Sequence, residues 1–371
     1  MRTANPRSRA RRIPRVANIR REQCARYTPV VRICITGATG FIGSYFCRAF
    51  QAAGHEVVGI DLIPPNASAP MARFVHGDIR DPDALRRAFE GCDRILSLAA
   101  AHHDFGIDRP TYFAVNETAS QLVCEQADAA GIRRICWYSS CAVYGDVPEP
   151  RHERAETRPT HPYGESKLAG EKVFRAWAAR GEGRSMLCIR PTITFGPGNV
   201  ANMYSLIRQI AGGRFVTAGA GTNCKSLSYV ENLVAATQYL WERQGEGMDT
   251  FNFVEKPDLT SAQICDEIAH ALGRRSAGLR LPLPLVLAMA LPFDAITTLT
   301  GKDLSISTMR VRKLFVQQTR FEAQKLADAG FRSPVPLPEG LRRMVAWWSA
   351  QGRSAPPTWR QPPAAVQRFA D

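Results

Sequence analysis

The 371-residue sequence lacks any C-x-x-C pair and any Cys/His spacing of the metal-binding kind, although it holds ten cysteines. Cys34, Cys136 and Cys188 fall inside apolar runs, where a thiol packs as a small hydrophobe. A disulfide scaffold is thereby excluded, and a reducing, cytoplasmic setting is expected. No apolar run approaches the roughly 20 residues of a membrane span. The nearest, Leu281 to Phe293, is interrupted by Pro282, Pro284 and Pro292. It reads as a buried helix of a substrate lobe, with an interfacial membrane contact as the alternative. Acidic residues are scarce at the N-terminus: residues 1–29 carry nine arginines against one glutamate, about +8 of the net +14. With Pro6, Pro14 and Pro29 and no apolar periodicity, that arm is expected to be disordered. No apolar h-region follows Arg11-Arg12, so no secretory or twin-arginine signal is expected. The charge would allow contact with nucleic acid or an acidic membrane surface, the plainer reading being a solvated tail.

What is present begins at Val30. The apolar run Val30 to Ile35 reads as a buried strand, Gly37, Gly40 and Gly43 follow at three-residue steps, and Ser44 to Ala53 has helical character up to Gly54. Strand, glycine turn and helix bring a pyrophosphate onto a helix N-terminus. A second strand, Glu56 to Asp61, closes on a carboxylate about 20 residues after the turn, where it can accept hydrogen bonds from both adenosine ribose hydroxyls and repel a 2′-phosphate. This favours NAD over NADP. Phe74 to Asp81 continues the pattern and places Asp78 and Ile79 beside the adenine. Arg94 to Ala101 and Arg134 to Ser140 read as fourth and fifth strands, with a helix from Asn116 to Ala130 between them. The rhythm predicts an α/β fold with a doubly wound parallel sheet. All the strand carboxyl ends then share one edge, which gathers the glycine turn, Asp61, Asp78, Ala99, Ala100 and Ser139-Ser140. His102 and His103 follow the fourth strand, but adjacent side chains on an extended segment point apart, so no metal site is expected.

Tyr163 and Lys167 lie four residues apart on a predicted helix and share its face. A nearby ammonium favours the phenolate, and such a phenol can take a proton from a hydroxyl while hydride leaves its carbon. A serine hydroxyl from the neighbouring strand end can bond the reacting oxygen.

With Thr36-Gly-Ala-Thr-Gly-Phe-Ile-Gly43, Gly77-Asp-Ile79, Leu98-Ala-Ala100, Ser139 to Gly145, Tyr163 to Lys167 and Arg190-Pro191, the chain resembles the extended short-chain dehydrogenases/reductases. Within them it is similar to the nucleotide-sugar epimerases/dehydratases of the UDP-glucose 4-epimerase kind, over roughly residues 31–348. The resemblance implies a Rossmann domain with NAD contacts at Gly37, Thr39, Gly40, Phe41, Ile42, Gly43, Asp61, Asp78, Ile79, Ala99 and Ala100. It implies Tyr163 as acid/base, Lys167 on the nicotinamide ribose and Ser140 on the reacting oxygen, four residues before Tyr144. The 4,6-dehydratase members carry an Asp-Glu pair just after that Ser/Thr; here Cys141 and Ala142 stand there, which disfavours that chemistry. Substrate contacts are expected at Asn202, with Asn199 as the alternative, and at the basic pair Lys225 and Arg310. Lys225 to Asn232 resembles the family's return strand.

The resulting expectations are a basic arm at 1–29, a cofactor domain at 30–190, a mainly substrate-binding lobe at 191–350 and a disordered tail at 351–371. The expected reaction is C4 inversion of a UDP-sugar through a transient 4-keto sugar, by a cytoplasmic homodimer with no nucleic-acid partner. A dehydrogenase or reductase of a keto-sugar or hydroxysteroid-like alcohol is the alternative. A non-catalytic NAD-binding scaffold with a nucleic-acid- or membrane-binding arm is the third reading.

Overall fold

The computed structural model describes residues 30–102, 107–146, 149–213, 215–300 and 307–354. The arginine-rich segment, His103 and residues 355–371 lie outside them, and with them the expectation of disorder at 1–29 and over most of the tail. At the start of the tail that expectation is corrected, because residues 351–352 complete a π-helical turn, Trp348–Gly352, whose Gly352 is buried and accepts from the Tyr204 hydroxyl at 3.0 Å.

Short β-branched and aliphatic runs form the parallel strands β1 (Arg32–Thr36), β2 (Glu56–Asp61), β3 (Arg73–His76), β4 (Arg94–Ser97), β5 (Arg134–Tyr138) and β6 (Ser185–Pro191). Outside that sheet come the short strands β7 (Ile193–Phe195), β8 (Val216–Ala218), β9 (Cys224–Lys225) and β10 (Leu227–Tyr229). β11 (Gly247–Phe253) then returns beside β6, giving a seven-stranded parallel sheet in the order β11-β6-β5-β4-β1-β2-β3. β1 pairs with β2 on one side and β4 on the other, so the strand order reverses at β1. In open α/β sheets a ligand crevice lies at the carboxyl ends beside such a reversal.

The return strand is therefore Gly247–Phe253, and the expected segment after Lys225 is corrected. Leu227–Tyr229 pairs with Ile193–Phe195 outside the main sheet, and the chain turns at once into α7 (Val230–Arg243). Three paired residues are too few to carry a sheet strand of typical length.

Helix α1 (Phe41–Ala52) and α7 cover one face of the sheet, where Phe46, Phe50, Leu233 and Trp241 pack on Ile33, Ile35 and Leu96. The other face carries α2 (Pro82–Phe89), capped by Asp81, α4 (Ala119–Ala129) and α5 (Pro162–Ala178), through Phe89, Val123, Phe174 and Trp177 on Ile95, Ile135 and Trp137. The helix expected from Asn116 begins earlier, as α3 (Arg109–Phe113), capped by Asp108. It passes through a π-helical turn at Ala114–Thr118 before α4.

A third apolar cluster lies in the C-terminal part. It joins α6 (Asn202–Ala211), α8 (Ser261–Ala271) and, later in the chain, α12 (Leu337–Trp347), around Phe195, Ile207, Tyr229, Ile268, Leu341 and Met344. Thr260 and Gln263 close a capping box at the start of α8. Before α12 come α9 (Leu283–Thr300), α10 (Thr308–Phe315) and α11 (Gln324–Asp328).

Helix α9 corrects the expectation of a buried helix. Val286 and Ala290 are buried, but Leu285, Met289, Leu291, Phe293, Ile296 and Leu299 are exposed. A helix that is apolar all round has to be covered on every side to be buried, and the fold covers one side of α9. Among the described residues no helix is long and apolar enough to cross a membrane.

Candidate active site

The glycine turn is built by close backbone approach. Gly37 takes φ +71°, and a Cβ there would lie 2.9 Å from the Ala99 nitrogen. A Cβ on Gly43 would lie 2.2 Å from the Gly37 carbonyl oxygen. Side chains at either place would push β1, α1 and the end of β4 apart. Gly40 is the N-cap of α1 and supplies no side-chain cap, and the first helical turn holds no acid. The helix N-terminus thus keeps backbone N–H groups and positive dipole for an anion.

Asp61 ends β2 beside this turn. Its carboxylate accepts from the Thr39 N–H at 3.0 Å and the Ile63 N–H at 3.2 Å. The Thr39 hydroxyl donates to the Ile63 carbonyl, tying turn and strand end together. The Leu98 and Ala99 N–H groups donate to the Thr36 hydroxyl at 3.1 Å, which holds the end of β4, and with it Ala100, against β1. Asp78 follows β3 and is buried, but Arg80 claims its carboxylate in a two-pronged ion pair of 3.0 and 2.7 Å. Ile79 faces the apolar core beneath. His102 Nδ1 lies 3.2 Å from the Ala100 carbonyl.

Ser140 lies two residues past the end of β5, and Tyr163 and Lys167 lie on α5. Ser140 caps a 3₁₀ turn, Cys141–Tyr144, accepting from the Ala142 N–H at 3.1 Å. A Cβ on Gly164 would lie 2.6 Å from the Ala142 carbonyl oxygen, so the first turn of α5, with Tyr163, rests directly on that 3₁₀ turn. Tyr163 is half-buried, its ring 6.3 Å from that of Tyr112. Lys167 is buried, its Nζ 4.2 Å over the Trp137 ring, and burial pulls its pKa down to about 7.

Several residues that organise this edge were not singled out in the sequence. A Cβ on Gly170 would lie 2.3 Å from the Asn116 carbonyl oxygen and 2.8 Å from Trp137, so α5 can approach the π turn and β5 only with glycine there. Buried Asn116 bonds both backbone groups of Ala101 (3.1 and 3.0 Å) and the Ser166 hydroxyl (2.9 Å), linking the end of β4 to α5. Glycines inside a helix cost stability unless close packing requires them, so Gly164 and Gly170 were a readable signal.

Under the site lies a buried ionic network. Glu171 accepts from Arg190 at 2.7 and 2.5 Å and from the Ser139 hydroxyl at 2.5 Å. Arg190 also donates to the Tyr144 hydroxyl, which donates to Asn252. Burial opposes the charge on Arg190, but the Glu171 contacts outweigh it and raise its pKa above the usual range.

The expected substrate residues sit apart from this edge in sequence and serve various ends. Asn202 is exposed at the first position of α6, while Asn199 is nearly buried and caps the turn to Ala201 at 2.9 Å. Lys225 is buried and donates to the Lys313 and Gln317 carbonyls at 2.5 and 2.7 Å, so it caps the C-terminus of α10, the helix bearing Arg310. Burial lowers its pKa to about 8. Among the described residues no group of three His, Cys, Asp or Glu side chains is placed to hold a metal ion.

Comparison with known proteins places this geometry. The profile of the NAD dependent epimerase/dehydratase family matches residues 33–253. The N-acetyl-alpha-D-glucosaminyl-diphospho-ditrans,octacis-undecaprenol 4-epimerase of Escherichia coli O157:H7 is 34% identical over 85% of this chain and 94% of its own length. The ceramide reductase of Caulobacter vibrioides is 27% identical over 86% and 95%. The crystal structure of the Thermus thermophilus UDP-glucose 4-epimerase in complex with NAD shares the fold, with TM-score 0.67 and 20% identity over 86% of this chain and 99% of that one. The profile match and the relative from E. coli agree: the chain belongs to the NAD-dependent epimerase/dehydratase family of extended short-chain dehydrogenases/reductases.

Proposed function

We propose that this protein is a 4-epimerase of a sugar carried on a diphosphate, acting through a transient 4-keto sugar with tightly held NAD. The observation that carries the reading is the set Ser140, Tyr163 and Lys167, packed on one sheet edge beside an uncapped glycine turn. NAD fits that turn: its glycines let β1, α1 and the end of β4 close up, the uncapped N-terminus of α1 suits a pyrophosphate, and Asp61 stands where ribose hydroxyls would lie. When bound, it supplies the hydride acceptor and donor for the sugar carbon.

Residues 30–190 form the cofactor half in this reading and residues 191–350 mainly the substrate half, with α7 and β11 returned to the cofactor sheet. Tyr163 removes the C4 hydroxyl proton and returns it after inversion. Lys167 holds an ammonium near the phenol and favours the phenolate. Ser140 donates to the C4 oxygen as it becomes a carbonyl. Thr39, Phe41, Ile42, Asp78, Ile79, Ala99 and Ala100 line the cofactor. Asn202 and Arg310 bond the diphosphate, and Lys225 acts by fixing α10 rather than by touching phosphate. Cys141 and Ala142 supply no acid/base pair for elimination of water, which separates the reaction from 4,6-dehydration. We assign the enzyme to the cytoplasm, as a homodimer paired through α4 and α5.

Two carriers fit a diphosphate site. UDP is the first; undecaprenyl diphosphate is the second, supported by the name of the E. coli relative and by the length of its match. Purified protein incubated with UDP-glucose, UDP-N-acetylglucosamine and undecaprenyl-diphospho-N-acetylglucosamine is expected to yield a C4 epimer of one of them, read by NMR, without net NADH. The ceramide reductase match supports a second reading, a net reductase, for which NADH consumption would be stoichiometric with product.

A further inference from the structure

Exposed apolar surface in this protein is concentrated in one place. Of thirteen exposed large hydrophobic residues among those described, nine fall between Leu279 and Val316. Six of them belong to α9, an 18-residue helix about 27 Å long at 1.5 Å per residue. At 100° per residue, Val286, Ala290 and Asp294 share the inner side, and Leu291, Leu299, Leu285, Ile296, Met289 and Phe293 sweep an outer arc of about 200°. The inner side is anchored: Val286 and Ala290 are buried, and Asp294 accepts from the Thr308 hydroxyl at 2.6 Å and its N–H at 3.2 Å. The outer arc carries no charged side chain.

The chain on either side of α9 is cationic. From 272 to 315 the sequence holds seven Lys/Arg and two acids, and one of the acids is the inward Asp294. Arg275 and Arg280 are exposed ahead of the helix, Arg312 and Lys313 on α10 behind it. An apolar arc with exposed cations just before and after it in the chain matches the acyl boundary and headgroups of an acidic bilayer. A second copy of this chain would bring the same cations against themselves across a two-fold axis, with one remaining acid of the segment, Asp303, to set against seven cations. The helix is too short and too interrupted to span.

We propose that α9 is an interfacial membrane helix that seats the protein on an acidic phospholipid bilayer, with its outer arc at the acyl boundary and Arg275, Arg280, Arg312 and Lys313 among the headgroups. The inference does not depend on the reaction proposed above, since vesicle binding reads no chemistry. A protein seated this way would meet a lipid-linked sugar diphosphate at its own surface.

Flotation of the full-length protein with phosphatidylglycerol/phosphatidylcholine vesicles tests it. Wild type should float. Leu291→Glu/Leu299→Glu, at two solvent-facing positions, should lower the partition coefficient roughly tenfold or more while leaving the circular dichroism and thermal midpoint unchanged. Arg275→Glu/Arg312→Glu should weaken binding by a similar factor at low salt and less at high salt. All variants keep the arginine-rich segment 1–29, so binding that the leucine pair leaves unchanged would overturn the proposal, as would wild type that does not float. A wild-type dimer that binds no vesicles and falls apart in the leucine variant would make the face an interface between copies, which also overturns it.

Discussion

The glycine turn after β1 and helix α9 both face outward, and they do so by opposite means. At the turn, backbone meets backbone, Gly43 against the Gly37 carbonyl and Gly37 against Ala99, and the Thr39 N–H donates to the Asp61 carboxylate. Around α9, side chains of ordinary helical residues point away from a helix held on one side by Val286, Ala290 and Asp294. The first region tolerates almost no change of atom count, so its chemistry is written into residue identity and spacing. The second tolerates many residues of like polarity, so its role lies in the sum of its surface.

Substitutions should separate the two regions, and the largest effect belongs to the sheet edge. Tyr163→Phe should lower kcat by about 10²- to 10⁴-fold while bound NAD(H), measured after denaturing the purified enzyme, stays unchanged. An undiminished kcat would remove Tyr163 from proton transfer. Glu171→Gln should cost about 3–5 kcal/mol in urea unfolding, because it leaves the Arg190 charge buried and poorly met.

Lys167→Met tests the buried ammonium through pH. Its folded pKa of about 7 lies below the unfolded value near 10.4, so folding releases a proton between those limits and rising pH favours the folded state. Wild type should gain on Lys167→Met by up to about 1.4 kcal/mol per pH unit from pH 7 toward pH 10 in urea midpoints, with no such gain below pH 6. Gly170→Ala should cost about 1–3 kcal/mol by overpacking against Asn116 and Trp137, and should lower kcat as α5 moves away from β5. In the other region, Leu291→Glu/Leu299→Glu should change unfolding stability by less than about 0.5 kcal/mol per site. A large loss there would mean that α9 is a structural helix and would erase the contrast.

The sheet rhythm, the glycine turn and the Asp61 position were legible because each depends on local spacing: alternation of apolar runs for the sheet, three-residue steps for the turn. The pairing of Ser140 with Tyr163 was legible as composition, but the reason for their closeness was not. It rests on Gly164 meeting the Ala142 carbonyl and Gly170 meeting Asn116, contacts between segments far apart in the chain. Asn116 reads in sequence as a helix residue; only the π turn brings its amide to Ala101 and Ser166. In the C-terminal half, Lys225 looks like a phosphate ligand by charge, yet its ammonium ends on the Lys313 carbonyl of α10 and the Gln317 carbonyl just beyond that helix. The run from Leu281 to Phe293 shows that hydrophobicity fixes what a segment avoids, not which neighbour covers it.

The proposed reaction requires that hydride leave C4 and come back to the same carbon. Substrate deuterated at C4, incubated with the enzyme and analysed by NMR, should give the C4 epimer with deuterium retained at C4, without added NADH. An epimer whose C4 deuterium has been lost to solvent, or product formed only with matching NADH consumption, would contradict that requirement.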